Sequence, residues 1–427
     1  MSESTSSCLW ANTAVPDVQA QALHGAVSAD VVIIGAGFTG CAAALALAQR
    51  GQRVRVLEAR TVGWGASGRT GGQVIPGLKY DPDELEAMFG PELGPRMVDA
   101  AGGVGDEVFG LIERHGISCD AQRKGWLQPA YSAKSLALAL RRCDSWKRRG
   151  ADVTPVDRSR MAQLLGTDHY LGGWEDRRAG HVQPMSYVRG LASAAQRVGA
   201  EIHVESPALS LSKQGTKWRV STPQGSIDAD QVLIATNGYT DGLWPGLAKT
   251  VVPMMSYQAA TVPIPDALGK SILAEGHAAS DTRRLLWYFR RDAHGRLIMG
   301  GRAPYREDLG AADDNYVRNA VNRLFPQLSS TPFEFHWAGR VAMTQDHIPH
   351  LNQLDKGLWA AMGYNGRGVG MATLLGRLLA DLASGVPAKD IPFPVTSMHP
   401  IVGYPFTRLV ARVLVSYYRV RDEMEAA

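Results

Sequence analysis

The sequence predicts an α/β protein in which a nucleotide-binding domain with a parallel sheet is interleaved with a domain built on an antiparallel sheet. A β-branched run, 30–34, passes directly into the glycine-rich segment 35–40 and then into a helical stretch, 41–50. A second strand-like segment, 53–58, follows, while residues 250–332 consist mainly of alternating strand-like segments. The order strand, glycine loop, helix and strand is that of a Rossmann-like βαβ unit.

Length, charge and composition restrict the class of protein. The chain has 427 residues, against a prior of ~150 for one domain, so a single minimal domain is excluded. With 45 Lys and Arg against 41 Asp and Glu, the net charge of +4 argues against a dedicated nucleic-acid binder. A hydrophobic content of 45% excludes disorder as the main state. The 46 glycines are the unusual feature, because they cluster.

The cysteines and the termini indicate a cellular location. Cys8, Cys41, Cys119 and Cys143 are too scattered for a disulfide framework and contain no C-x-x-C pair, so we predict no metal site and a reducing, cytoplasmic location. The polar N-terminal segment, 1–23, is not typical of a signal peptide, and no apolar stretch has the length of a membrane span.

The first glycine cluster has the G-x-G-x-x-G spacing of a dinucleotide site. Gly35 permits the tight turn, Gly37 lets the backbone approach a pyrophosphate, and Gly40 allows close packing of helix on strand. The helix that follows directs free N–H groups at phosphates. Glu58, at the end of the second strand, is placed to accept hydrogen bonds from the ribose hydroxyls, which disfavours NADP.

A second cluster, 63–73, separates FAD from NAD as the predicted nucleotide. An NAD enzyme would continue with alternating strands and helices, whereas this stretch places five glycines in ten residues. Such a segment costs much chain entropy and suits backbone lying against a large planar or phosphate-bearing ligand. Ser67 and Arg69 offer polar groups to a pyrophosphate and to the edge of a flavin.

These residues resemble a known family. The segment 35–40, Glu58 and the stretch 65–73 are similar to the D-amino-acid oxidase/glycine oxidase superfamily of FAD-dependent amine oxidoreductases. The C-terminal tail, which contains Tyr-Tyr-Arg-Val-Arg-Asp at 417–422, is similar to the γ-glutamylputrescine oxidoreductase branch. The resemblance implies a Rossmann-like FAD-binding domain of the glutathione-reductase type, interleaved with an antiparallel-sheet substrate domain.

The resemblance also implies domain ranges and cofactor contacts. It gives an FAD-binding domain of 28–80, 150–249 and 333–390, a substrate domain of 81–149 and 250–332, and a C-terminal amphipathic tail of 391–427. A third glycine loop, 363–370, opens a helix that faces the flavin in the family. The expected cofactor-binding residues are Gly35, Gly37, Phe38, Thr39, Gly40, Glu58, Ala59, Arg60, Gly65, Ala66, Ser67, Arg69, Gly71, Gly72, Gln73, Ala208, Thr236, Gly238, Gly363, Asn365, Gly366, Arg367, Gly368 and Val369.

The expected attachment of FAD is non-covalent. Sarcosine-oxidase relatives carry a cysteine that bonds the flavin near the position where this chain has Met343. None of the four cysteines lies beyond residue 143.

The expected chemistry is hydride transfer from an amine C–H to flavin N5, which gives an imine that water hydrolyses to an aldehyde or keto product. A neutral amine is required, and an apolar aromatic pocket favours it. The catalytic candidates are Tyr257, Trp287, Tyr288, Trp337, Met343 and Tyr364, and the candidates for a substrate carboxylate are Arg290, Arg302 and Arg340.

The leading hypothesis is oxidation of a γ-glutamylated polyamine or a related amine. Oxidation of a small amino acid (glycine, sarcosine or a D-amino acid) is the alternative within this chemistry. An NAD-dependent dehydrogenase and a non-catalytic flavin-binding module are alternatives of other classes. Because no second dinucleotide motif is present, the expected electron acceptor is O2, a quinone or a protein.

The tail also predicts an amphipathic helix. Apolar residues recur at helical spacing between 398 and 422, with arginines among them. We expect this helix to dock on its own protein, with contact at a membrane surface as the alternative.

Overall fold

The computed structural model describes residues 8–302 and 313–426, folded around two large sheets. The helices are α1 (Leu9–Thr13), α2 (Phe38–Gln49), α3 (Pro82–Gly102), α4 (Val104–His115), α5 (Ala133–Lys147), α6 (Arg158–Leu165), α7 (Pro184–Arg197), α8 (Asp266–Gly269), α9 (Asn315–Leu324), α10 (Gly368–Ala383) and α11 (Thr407–Ala426). The strands are β1 (Gly25–Ile34), β2 (Val54–Leu57), β3 (Gln73–Val74), β4 (Trp126–Pro129), β5 (Val153–Val156), β6 (Gly173–Asp176), β7 (Gly180–His181), β8 (Glu201–His203), β9 (Ser210–Gln214), β10 (Lys217–Ser221), β11 (Gly225–Ile234), β12 (Val252–Pro263), β13 (Ala278–Ser280), β14 (Tyr288–Arg291), β15 (Arg296–Arg302), β16 (Phe333–Met343), β17 (His350–Asp355), β18 (Leu358–Met362) and β19 (Val395–Thr396).

The first sheet has the order β19-β17-β18-β11-β1-β2-β8, and β9 and β10 extend it as an antiparallel ribbon beside β11. Its centre is parallel, because β1 runs parallel to both β2 and β11, and β11 runs parallel to β18. The predicted parallel nucleotide-binding sheet is therefore confirmed.

The second half of strand β1, which holds the apolar run, is buried on both faces. Val31 and Ile33 face the core that contains the helices α2, α7 and α10. Val32 and Ile34 face a second core, which contains Trp218. Successive side chains of a strand point to opposite faces, so one β-branched run serves both cores.

Helices α2 and α10 cross at very short range. A Cβ built on Gly376 of α10 would lie 2.4 Å from the carbonyl oxygen of Thr39 and 2.9 Å from the Cβ of Ala42. Only a residue without a side chain fits this crossing. Because both helices point their N-termini at the same space, the crossing fixes the distance between two sets of free N–H groups.

The second sheet has the order β16-β12-β15-β14-β13-β4-β6-β5 and is antiparallel at every pair except β13 with β4. This pairing differs from the predicted domain ranges, which placed β5, β6 and β16 in the nucleotide-binding domain. Strand β16 pairs with β12 from Val252 to Thr261, so it continues the antiparallel sheet.

The N-terminal segment contributes to the core, which its polar composition did not predict. Helix α1 places Trp10 in the interior, where 1% of its surface is exposed. Its ring lies 5.6 Å from the ring of Trp337 and beneath the guanidinium of Arg290, 4.7 Å from the ring centre.

The tail forms helix α11, but its expected docking is limited to its C-terminal end. Asp422 is buried there, and its Oδ1 accepts a hydrogen bond from Nη1 of Arg284 at 2.9 Å. Nearer the start of the helix the apolar side chains are exposed, among them Leu409, Val410, Val413, Leu414 and Tyr417. No helix of the described residues is long and apolar enough to cross a membrane.

The crossing of α2 and α10 gives the first prediction. We expect Gly376→Val to lower the free energy of unfolding by about 1–3 kcal/mol, because the new side chain collides with the backbone of α2. Gly110→Val in α4 is the matched control, since the Cβ there would meet only the mobile end of Arg114. Urea unfolding measures both variants; equal stability of the two would contradict the steric argument.

Candidate functional site

One cavity of about 760 Å³ lies between the two sheets and is lined by residues from both. The parallel side contributes the ends of β1 and β2 and the start of α2. The antiparallel side contributes side chains of β12, β14 and β15. This position, beyond the carboxyl ends of parallel strands, is where open α/β sheets bind ligands.

The first glycine loop is held by an acid and a hydroxyl. Gly35 has φ +106°, which favours glycine, and passes the chain from β1 into the loop. Glu58 accepts hydrogen bonds from the backbone N–H groups of Ala36, at 2.8 Å, and Arg60, at 2.9 Å. Burial raises the pKa of Glu58, and these N–H donors oppose the shift. The Ser67 hydroxyl accepts from the N–H of Phe38 at 2.9 Å, at the first turn of α2.

The second glycine loop is tied down through its carbonyl groups. The carbonyl of Arg69 accepts from Nε2 of Gln258 at 2.6 Å and from Nε1 of Trp337 at 3.0 Å. Trp10 donates to the carbonyl of Thr70 at 2.8 Å. Thus side chains from the antiparallel sheet and from α1 hold a loop that has few side chains of its own.

The third glycine loop leads into α10 and is bonded to α2. The hydroxyl of Tyr364 lies 2.6 Å from that of Thr39. The amide oxygen of Asn365 accepts from the N–H of Thr344 at 2.9 Å. Arg367 donates to the carbonyl of Pro76 at 2.9 Å, and burial lowers the pKa of Arg367 to about 10.

The structure brings most of the predicted cofactor residues to this one cavity. Those that line it are Gly35, Gly37, Phe38, Thr39, Glu58, Ala59, Arg60, Gly65, Ala66, Ser67, Arg69, Gly71, Gln73, Ala208, Thr236, Asn365, Gly366, Arg367 and Gly368. Gly40, Gly72, Gly238, Gly363 and Val369 are not among the residues that line the cavity. Gly40, Gly72 and Gly363 are packed too closely against neighbours to carry a Cβ.

The cavity fits a dinucleotide that carries a flavin. Helices α2 and α10 both begin at its wall, so two sets of N–H groups and two positive dipole ends face the ligand. A Cβ on Gly366 or Gly368 would project into open space, so the backbone there is accessible. On the opposite wall, the buried Oε1 of Gln258 has no hydrogen-bond partner among the described residues and is available to a ligand donor.

The family model described as "FAD dependent oxidoreductase" (DAO) matches residues 30–382. The chain belongs to this family. It is an FAD-dependent oxidoreductase, and the predicted cofactor and fold are confirmed. The alternatives of an NAD-dependent dehydrogenase and of a module without catalysis are therefore not supported.

The similarity to individual relatives and to a solved structure agrees with this family assignment. The chain is 32% identical to γ-glutamylputrescine oxidoreductase of Escherichia coli, over 99% of this chain and all of that protein. It is 32% identical to a probable oxidoreductase, OrdL, of Haemophilus influenzae over 92% of both chains, and 24% identical to glycine oxidase of Bacillus subtilis over 83% of this chain and 92% of that one. The fold matches the crystal structure of glycine oxidase from Geobacillus kaustophilus with a TM-score of 0.70, at 21% identity, covering 84% of this chain and 95% of that chain.

The candidate substrate residues divide between the cavity and the protein interior. Tyr288, Met343, Tyr364, Arg302 and Arg340 line the cavity.

The other candidates lie elsewhere. Tyr257 points to the opposite face of β12 and donates to Asp314, at 2.5 Å. Trp287 packs beneath Arg283, 4.0 Å from the ring centre. Trp337 supports the second glycine loop, as described above. Arg290 donates to the carbonyls of Gly71 and Val182, both at 2.8 Å, so the predicted carboxylate role is not supported for it.

Several of the residues that line the cavity were not predicted from the sequence. Lys79 and Arg142 place cations in the cavity, while Trp126, Gln128 and Ser256 supply an aromatic and two polar groups. None belongs to a glycine cluster or a family motif, and no spacing marks them. The alternation of β12 could have placed Ser256 and Gln258 opposite Tyr257, had the buried face been known.

Attachment of FAD gives the second prediction. Among the described lining residues there is no cysteine or histidine, and burial raises the pKa of every cysteine thiol above its usual value. We therefore expect acid precipitation to release the flavin into the supernatant, measured by absorbance. Flavin that remains with the precipitated protein would contradict non-covalent binding.

Proposed function

We propose that this oxidoreductase oxidises the C–N bond of an amine, and that its substrate is a γ-glutamylated polyamine or a related amine. The similarity to γ-glutamylputrescine oxidoreductase over nearly the whole chain, tail included, carries the substrate proposal. Glycine oxidase of B. subtilis is less similar and is matched over a smaller share of the chain.

The tail supports this proposal because it is linked to the cavity wall. Carboxylate oxygens of Asp422 accept from the N–H of Leu285 at 3.0 Å and from Arg284. Glu425 accepts from Nη2 of Arg284 at 2.8 Å and from the Tyr131 hydroxyl at 3.1 Å. Arg284 itself lines the cavity, so the tail fixes a part of the wall that a substrate meets.

The chain's own residues suit a neutral amine. FAD, when bound, would supply a two-electron acceptor: the neutral amine would lose a hydride from carbon to the flavin and a proton from nitrogen to solvent, and water would hydrolyse the resulting imine to a carbonyl product and ammonia or an amine. Burial raises the pKa of Tyr288, so this residue stays a neutral phenol beside the Ser256 hydroxyl, at 2.7 Å. The cations that line the cavity disfavour an ammonium group and therefore favour the reactive neutral amine.

Oxidation of a small amino acid is the second candidate. Arg302 and Arg340 line the cavity, and an arginine can hold the carboxylate of such a substrate by a bidentate pair. The two candidates differ in the distance between the oxidised carbon and the carboxylate.

An anaerobic amine screen tests the proposal. We expect γ-glutamylputrescine to bleach the flavin absorbance of the holoenzyme, and glycine, sarcosine and D-alanine to bleach it at least tenfold more slowly. Faster bleaching by the amino acids would favour the second candidate, and failure of every amine would overturn the proposal. Admission of air then shows the acceptor: rapid recovery with peroxide indicates O2, and slow recovery indicates a quinone or a protein.

We propose a cytoplasmic location, supported by four free cysteines without a disulfide in the described structure. We also propose that α11 contacts a membrane surface peripherally. Its exposed apolar residues other than Met424 lie in a segment, 391–421, that contains arginines and no acidic residue, a composition suited to anionic lipid.

Vesicle co-sedimentation tests the membrane contact. We expect the holoenzyme to sediment with vesicles of phosphatidylglycerol and phosphatidylcholine, and Leu409→Asp combined with Val413→Asp to reduce binding at least tenfold by removing apolar contacts. Leu209→Asp, at an exposed apolar position outside the tail, serves as control. A wild-type protein that stays in the supernatant would contradict the proposal.

A further inference from the structure

Positive charge dominates one region of the cavity. Its lining includes Lys79, Arg142, Arg302 and Arg367. Desolvation lowers the pKa of Lys79, and the positive charges of the three arginines lower it further. These four residues are called the cation cluster below.

Two members of the cation cluster already have partners. Arg142 is paired with Asp81, through a short contact to its carboxylate, and also contacts Gln128. Arg367 donates to the carbonyl of Pro76 and lies over the ring of Trp126. Their charges are therefore partly engaged in holding the wall.

The other two members have no such engagement. Within the ranges 8–302 and 313–426, the side chains of Lys79 and Arg302 form no hydrogen bond or ion pair. Desolvation also lowers the pKa of Arg302. Lys79 is exposed to the cavity and Arg302 is half-buried, so an anionic ligand there would give both cations the charged partner that they lack among the described residues.

The protein does not supply the anion from the described cavity wall. The carboxylates that line the cavity there are Glu58, Asp241 and Asp281. Glu58 accepts backbone N–H groups of the first glycine loop, Asp281 is paired with Arg283, and Asp241 accepts from the N–H of Leu243 at 3.0 Å. Each of these carboxylates therefore has its hydrogen-bond or ion-pair partner outside the cation cluster.

The backbone that carries Lys79 is fixed. Gly77 donates to the carbonyl of Ala101 at 2.8 Å, Arg367 donates to Pro76, and Arg142 approaches the carbonyl of Lys79 itself at 3.4 Å. Arg302 stands at the end of β15, where Ser256 is its partner in the register. The ammonium group of Lys79 and the guanidinium group of Arg302 are thus carried by separate, ordered parts of the wall.

We propose that Lys79 and Arg302 form a subsite for a carboxylate at the far end of the amine substrate. This inference rests on the proposed function and deepens it. Lys79 acts as a point charge and Arg302 as a planar fork with two parallel donors. The same charges repel a free polyamine, whose second ammonium group would lie among them, so the subsite selects acylated amines that carry a carboxylate over free diamines.

Steady-state kinetics test the selection. Three substrates share one reacting amine: γ-glutamylputrescine, N-acetylputrescine and putrescine. We expect Lys79→Met to lower kcat/KM for γ-glutamylputrescine at least tenfold, mainly by raising KM. The same substitution should change kcat/KM for N-acetylputrescine less than twofold. Lys79→Arg, which keeps the positive charge, should retain most of the wild-type kcat/KM for γ-glutamylputrescine. Lys270→Met, at an exposed position outside the cavity, should leave kcat/KM unchanged for all three substrates. Equal losses for all three substrates would overturn the inference.

A binding measurement separates this inference from the proposed function. Glutarate is titrated into the oxidised holoenzyme, and the perturbation of the flavin absorbance gives a Kd. We expect Lys79→Met and Arg302→Met each to raise this Kd at least tenfold. If glutarate binds in this way but no amine bleaches the flavin, the subsite stands and the proposed function fails; if amines bleach it and the Kd is unchanged in both variants, only the subsite fails.

Discussion

The site depends on the crossing of α2 over α10 at Gly376. Because no side chain separates the helices there, their first turns open onto one cavity. The 2.6 Å hydrogen bond between Tyr364 and Thr39 joins the loop before α10 to the first turn of α2. Anion-binding N–H groups gain strength from a fixed position, since the donors need no rearrangement when a ligand arrives. A wider crossing would separate the donors that have to serve one extended ligand.

The second glycine loop depends on side chains from other parts of the chain. The loop 63–73 has too few side chains to hold itself, and its carbonyls are held by Trp10, Gln258, Arg290 and Trp337. Three of these four residues lie on strands of the antiparallel sheet. The antiparallel sheet, which forms one wall of the cavity, therefore also shapes the glycine-rich backbone of the other wall, so a change at one is felt at the other.

The sequence predicted the glycine loops of the cavity wall better than the side chains that line it opposite them. Glycine loops are recognisable because turns, close approaches and helix starts restrict the residue locally, as at Gly35 and Gly40. Strand alternation, by contrast, shows two faces without saying which is inward, so Tyr257 was selected although Ser256 and Gln258 face the cavity. Trp10 and Lys79 escaped because their roles come from contacts across the chain, with no local pattern to mark them.

The placement of the thiols has a consequence for chemical durability. Cys8, Cys41, Cys119 and Cys143 are all buried, and Cys8 directs its sulfur to the carbonyl of Gly68 at 3.7 Å. The thiolate is the form that peroxide attacks, and burial raises each thiol pKa far enough to keep that form scarce at neutral pH. An oxidoreductase that passes electrons to oxygen would in this way be protected, at its own cysteines, from its own product.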